Sequence, residues 1–250
     1  MTDWHIHIGE YRNNSIYRFD YVFKVLKDNG VDRCWYAYLT PKYKSFKDSF
    51  AFVDYSVHHN EKAVEFAKTI GIIVNPLCWI DPVLITDGIA SVEWLFTKMD
   101  YKGIAIHPFH KWNDQLLDLV FQYASLSGIP VFVHTGISKN DSPLRFEKQI
   151  ERFQHVMVHL AHCKDAKSVV YLFEKYPNVY GDTAFCSFEN YEYICNAGFQ
   201  NRMLFGTDFP ITHWYSCNGE KKGYATLDEL DISYKSTLKD MQWYKFDTSL

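Results

Sequence analysis

Much that would mark a special class of protein is missing from this 250-residue sequence, and each absence narrows the reading. The six cysteines, Cys34, Cys78, Cys163, Cys186, Cys195 and Cys217, include no CxxC pair and lie scattered through apolar segments. That pattern reads as reduced buried thiols in a cytoplasmic protein and argues against a disulfide framework. Basic charge is not in excess: 26 Lys and Arg stand against 30 Asp and Glu, a formal net charge of -4, so no nucleic acid partner is expected. No apolar run approaches the length of a membrane span, so no membrane partner is expected. The first residues show no basic stretch followed by an apolar one, so no signal peptide is expected. Proline- or glycine-rich linkers and abrupt composition shifts are also lacking, and a single domain over 1–250 is the simplest organisation. Finally, "HIHIGEYRNN" is not the glycine-rich phosphate turn that announces a doubly wound dinucleotide-binding sheet.

What is present is a globular composition. Hydrophobic residues make up 47% and charged residues 22%, enough for a sizeable core. Aromatics reach 18%, which favours a large packed core or an aromatic-lined pocket over disorder. Short apolar runs alternate with longer amphipathic ones. The strand candidates are 4–8, 33–39, 71–79, 103–106, 130–135, 155–161, 178–182 and 202–207. Most are uninterrupted apolar runs, as expected for strands buried on both faces of a parallel sheet. Helix candidates lie at 19–30, 60–71, 113–128 and 164–178, with weaker signals at 87–100, 142–153 and 187–200. About eight strands, most followed by a helix, predict an α/β fold of the single-domain (β/α)8 TIM-barrel type. Residues 218–250 fit the alternation poorly and are expected to form a C-terminal extension with a helix on the barrel exterior.

In such a barrel, active sites form at the C-terminal ends of the strands. His5 and His7 share the first strand, and residues two apart point to one side. His134 ends the fifth strand, His159 and His162 lie at the sixth, and Asp208 follows the eighth. Taken singly, a buried histidine is more often a hydrogen-bonded core residue than a ligand. Recurrence of metal-binding side chains at the ends of four otherwise apolar strands changes that balance. Three imidazoles and a carboxylate suit Zn²⁺, with Fe, Co or Mn as alternatives. His58 and His59 are expected on the surface, His110 at a rim or in solvent, and Asp3 as a hydrogen-bond acceptor for His5. Gly9 is expected to turn the chain away from the site. Trp79, Phe109, Trp112, His213 and Trp214 are expected in loops around it.

The segments "DWHIHIG" (3–9), "GIAIHP" (103–108), "PVFVHTG" (130–136), "LAHC" (160–163), "YPNVYGDTA" (176–184) and "RMLFGTDFP" (202–210) occur in an order that resembles the amidohydrolase superfamily. The resemblance is to its amidohydrolase-related branch of metal-dependent hydrolases and decarboxylases. It implies one divalent metal ion held by His5, His7, His134 and Asp208. It also implies His162 as the catalytic or additional metal-binding histidine, with His159 structural. Ala105 stands where related sequences often carry a bridging lysine, and Lys102 precedes the strand, so one metal is expected. In this reading Asp208 is the proton acceptor and His162 orients hydroxide or stabilises an oxyanion. His107, Arg12, Trp79 and His213 contact the substrate. The function implied is hydrolysis of an amide, ester or lactone of a small molecule. Two alternatives are non-oxidative decarboxylation of an aromatic or unsaturated acid, and a barrel that binds metal without catalysis. A homodimer is compatible with the sequence.

Overall fold

The computed structural model describes residues 1–12, 15–40, 48–108, 112–220, 222–242 and 244. Phe109 and His110, two of the expected rim residues, lie outside the described residues, as does the end of the C-terminal extension. The elements begin with β1 (Thr2–Tyr11), β2 (Ser15–Tyr17), α1 (Phe19–Asp28), β3 (Arg33–Leu39), α2 (Ser49–Ile70) and β4 (Ile73–Trp79). They continue with α3 (Gly88–Lys98), β5 (Gly103–Ile106), α4 (Asp114–Ser127), β6 (Val131–His134), α5 (Glu147–Arg152) and β7 (Val158–Ala161). Last come α6 (Ala166–Lys175), β8 (Val179–Asp182), α7 (Phe188–Asn196), β9 (Met203–Leu204), α8 (Ile211–Ser216), β10 (Gly223–Tyr224) and α9 (Leu227–Asp240). The expected α/β alternation with parallel strands is present. The described residues form two compact units, Met1–Leu77 with Gly206–Leu250, and Cys78–Phe205.

In the first unit β1 pairs in parallel with β3, and β3 with β4. On its other side β1 pairs antiparallel with β2, which pairs in turn with β10. Neither β2 nor β10 is foreseen from periodicity, because three- and two-residue strands are too short to carry a pattern. Ile6 also forms a parallel bridge with Phe209. The core gathers Ile6, Ile8, Phe23, Leu26, Tyr36 and Phe209. Helix α1 buries Val22, Phe23, Val25 and Leu26, a stripe at the helical period. Each such side chain contributes about 1.5–3 kcal/mol when removed from water. Helix α2 is longer than expected: Asp48 caps its start by accepting the Ala51 N–H, and Gly71 closes it in the left-handed conformation. The expected terminal helix is real. Thr226 and Glu229 cap α9 reciprocally, and it buries Leu230 and Tyr234.

In the second unit β5, β6, β7, β8 and β9 pair in that order, all in parallel. Every residue of β5 and β7 is buried, as two-sided burial requires. Asn113 caps α4 and Gly128 ends it in the left-handed region, while Asp165 and Ser187 cap α6 and α7. The eighth expected strand, 202–207, shrinks to the two residues of β9.

Candidate metal centre and histidine row

The first group forms in the first unit. The alternation of β1 puts His5 and His7 on one side, with Nε2 atoms 3.2 Å apart. Asp208 meets them from the segment before α8. Its Oδ1 lies 2.9 Å from His7 Nε2 and 3.5 Å from His5 Nε2. Backbone pairing sets this meeting: the Asp208 N–H donates to the His5 carbonyl and the His7 N–H to the Phe209 carbonyl, each at 2.7 Å. Asp208 adopts φ 55°, a left-handed conformation uncommon for non-glycine residues, though aspartate enters it more readily than most. Ligand bonds of about 2.0–2.1 Å in a tetrahedral shell place donor atoms about 3.3 Å apart. The three separations match that edge length, and two imidazoles with a carboxylate are donors that Zn²⁺ and its neighbours accept. The residues therefore fit a divalent ion.

Asp3 sits below this group, fully buried. Its carboxylate accepts the backbone N–H of His5, where the sequence suggested a bond that orients the His5 ring, and also the N–H and hydroxyl of Thr207. Burial pushes the Asp3 carboxyl up to about 7, against the lowering effect of those hydrogen bonds. Gly9 does not turn the chain away. Strand β1 runs on to Tyr11, and Gly9 takes φ 97° where a Cβ would stand 2.4 Å from the Leu39 carbonyl oxygen. Arg12 is exposed, its guanidinium 5.5 Å and 5.4 Å from the ring centres of Tyr11 and Trp214. His213 and Trp214 belong to helix α8 rather than to a loop. His213 is buried, edge-on to Tyr17, with Nε2 3.6 Å from the Cys217 sulfur.

The second group forms in the second unit, one residue per strand end: Trp79 on β4, His107 after β5, His134 on β6, His162 after β7 and Asp182 on β8. His107 stacks on His134 at 4.3 Å and on Trp79 at 5.7 Å between ring centres. His134 Nδ1 lies 2.9 Å from His162 Nε2, and His162 Nδ1 lies 3.0 Å from the Ala184 carbonyl. His162 is buried at φ 75°. Asp182 holds it there: one carboxylate oxygen accepts the N–H groups of His162 and Ala184, and the other lies 2.8 Å from His159 Nε2. His159 is fully buried, with its ring against that carboxylate. Asp182 went unassigned in the sequence, although an aspartate ending the apolar run "NVYGD" was its available signal. Trp112 is buried and donates its indole N–H to the His107 carbonyl. Ala105 is buried in β5, and Lys102 pairs with Asp100 at the surface. His59 lies in α2 and bonds the Tyr55 carbonyl. Among the described residues no helix is long and apolar enough to cross a membrane.

A search of the curated proteins finds no match. Solved structures do resemble the chain. The phosphotriesterase homology protein from Escherichia coli, complexed with phosphate in its active site, is 13% identical at a TM-score of 0.63, covering 99% of this chain and 93% of its own. The 5-carboxyvanillate decarboxylase from Novosphingobium aromaticivorans, with bound manganese, is 9% identical at 0.59, covering 98% and 94%. The 2,6-dihydroxybenzoate decarboxylase from Rhizobium is 10% identical at 0.53, covering 94% and 92%. Identities so low speak for the fold alone. The sequence itself goes further, because the family model described as Amidohydrolase matches residues 3–228, a span holding His5, His7, His134, His162 and Asp208. On that match the chain belongs to the amidohydrolase family.

Proposed function

We propose that the protein is a metal-dependent hydrolase acting on an amide, ester or lactone of a small molecule. One observation carries the reading: three donor atoms of His5, His7 and Asp208 converge within 2.9–3.5 Å, the spacing a divalent ion needs. A divalent ion there supplies Lewis acidity toward a carbonyl oxygen and toward water. Zn²⁺ is the ion of this reading, with Mn, Fe or Co as other outcomes of metal analysis. Asp208 takes the proton of the attacking water and returns it to the leaving group. The family resemblance gives His134 as a further ligand and His162 as the residue that orients water or stabilises the oxyanion, and we adopt both roles. Trp79, His107, Arg12 and His213 are the substrate contacts, the first two offering a stacked aromatic face. The same resemblance carries the closed (β/α)8 barrel as our reading of the fold, and free cysteines agree with a cytoplasmic setting.

A second reading is non-oxidative decarboxylation of an aromatic acid. Decarboxylases are among the proteins of similar fold, and the exposed guanidinium of Arg12 is the cation that would hold a carboxylate. Metal analysis of the purified protein, followed by a panel of lactones, esters, amides and aromatic acids, separates the readings by product. Hydrolysis without CO₂ release is the expected result. Asp208→Asn should abolish the activity found, and full activity in that variant overturns the proposed proton carrier.

A further inference from the structure

The C-terminal helix α9 reaches the candidate metal centre through one buried hydroxyl. Tyr234 donates its phenolic O–H to Asp3 Oδ2 at 3.2 Å. That oxygen also accepts the Thr207 hydroxyl at 2.7 Å, while Asp3 Oδ1 accepts the N–H groups of His5 and Thr207, each at 3.2 Å. Asp3, Thr207 and Tyr234 are essentially without solvent contact. Two of these donors belong to the backbone that carries the ligands: His5 is itself one, and Thr207 directly precedes Asp208. A single carboxylate therefore clamps the β1 segment to the segment bearing Asp208. Tyr234 supplies the bond that comes from outside both. Its ring also packs edge-on against Phe209, the residue after Asp208, at 4.8 Å between centres.

We propose that Tyr234 is a positioning residue for the His5, His7 and Asp208 group, acting through Asp3 and Thr207; the inference rests on that group being the metal centre. A metal site discriminates donor positions within about 0.2 Å, whereas the packing of an apolar helix tolerates larger shifts. Helix α9 is anchored independently, by its capping box, by Leu230 in the core and by the Asn29 bond to Asp231. The Tyr234 hydroxyl is thus not needed to hold the helix in place, which leaves it the task of fixing the carboxylate. Groups that orient metal ligands typically contribute 10–100-fold in affinity.

The test compares wild type, Tyr234→Phe and Leu230→Ala as full-length chains. Zn²⁺ affinity is read by competition with a chromophoric chelator, and stability by urea unfolding. Hydrogen exchange of the metal-free peptide covering 203–210 reports the clamp without metal. Tyr234→Phe should weaken Zn²⁺ binding about 10-fold and speed exchange in that peptide. Leu230→Ala should lose more stability yet keep wild-type affinity. Unchanged affinity and exchange in Tyr234→Phe overturn the inference, as does an equal loss of affinity in Leu230→Ala. Wild type that binds no Zn²⁺ but shows faster exchange in Tyr234→Phe overturns the metal reading while upholding the clamp.

Discussion

The two units assemble polar side chains by different means. In the first, three donors come from two segments at opposite ends of the sequence, and main-chain bonds between Ile6 and Phe209 and their neighbours bring them together. In the second, successive parallel strands each deliver one side chain, and the rings are then held by one another and by Asp182. Main-chain pairing fixes position to a fraction of an ångström, as ion binding demands. Stacked rings are held less tightly, because several offset and edge-on arrangements are close in energy. The contrast separates donors placed by main-chain pairing from rings delivered one per strand end.

Removing the donors should give the largest effect. The His5→Ala, His7→Ala double variant is expected to lose Zn²⁺ binding by far more than the roughly 10–100-fold of an orienting group. His107→Ala, which strips the stack in the second unit, should leave metal content near wild type. Elemental analysis after dialysis checks both, and equal losses would erase the distinction drawn between the units. Asp182→Ala comes next. It leaves buried His159 and the buried N–H of His162 without their acceptor, and each buried polar group left unsatisfied costs about 1–3 kcal/mol. Urea midpoints measure it, and a cost under about 1 kcal/mol would mean that the row does not depend on Asp182.

Gly9→Ala probes the side placed by main-chain pairing. The left-handed φ of 97° and the 2.4 Å approach to the Leu39 carbonyl both oppose a Cβ. We expect about 1–3 kcal/mol of destabilisation by the same urea measurement, and no loss would show that β1 can shift there. Gly9 also shows where sequence reasoning reached and where it stopped. The expected turn at Gly9 is absent, because the glycine is needed where β1 lies against β3, a long-range pairing that local sequence does not reveal. Strands β6 and β7 were legible because short, nearly uninterrupted apolar runs suit strands buried on both faces. Both β2 and β10 were not, being too short for a period. Helix α8 was hidden by its six residues, so His213 and Trp214 were read as loop. His5 with His7 was legible from local spacing. Asp182 and Tyr234 act through hydrogen bonds to partners distant in sequence, and no spacing rule exposes those.

The smallest effect belongs to a surface ion pair in the second unit. Glu147 Oε1 accepts bonds from Lys175 at 2.7 Å, Tyr171 at 2.9 Å and Tyr176 at 3.2 Å. The Lys175 ammonium is the main cause of a carboxyl held below its ordinary 4.5, with the two hydroxyls adding to it and partial burial opposing. A carboxyl lowered in the folded state binds fewer protons there than in the unfolded chain. Its contribution is therefore full above the unfolded value and fades as pH falls through the folded one. Because the site is largely open to solvent, screening keeps the effect small. Glu147→Gln should lower Tm at pH 7 by about 1–3 °C, and the gap to wild type should close as pH falls below the ordinary 4.5 and through the lowered folded value. High salt at pH 7 should narrow it as well, since exposed charges are screened within about 3 Å at 1 M. Thermal unfolding of both proteins across pH 3–7 decides the matter: a gap independent of pH and salt would place the effect in packing by the Glu147 side chain rather than in its charge.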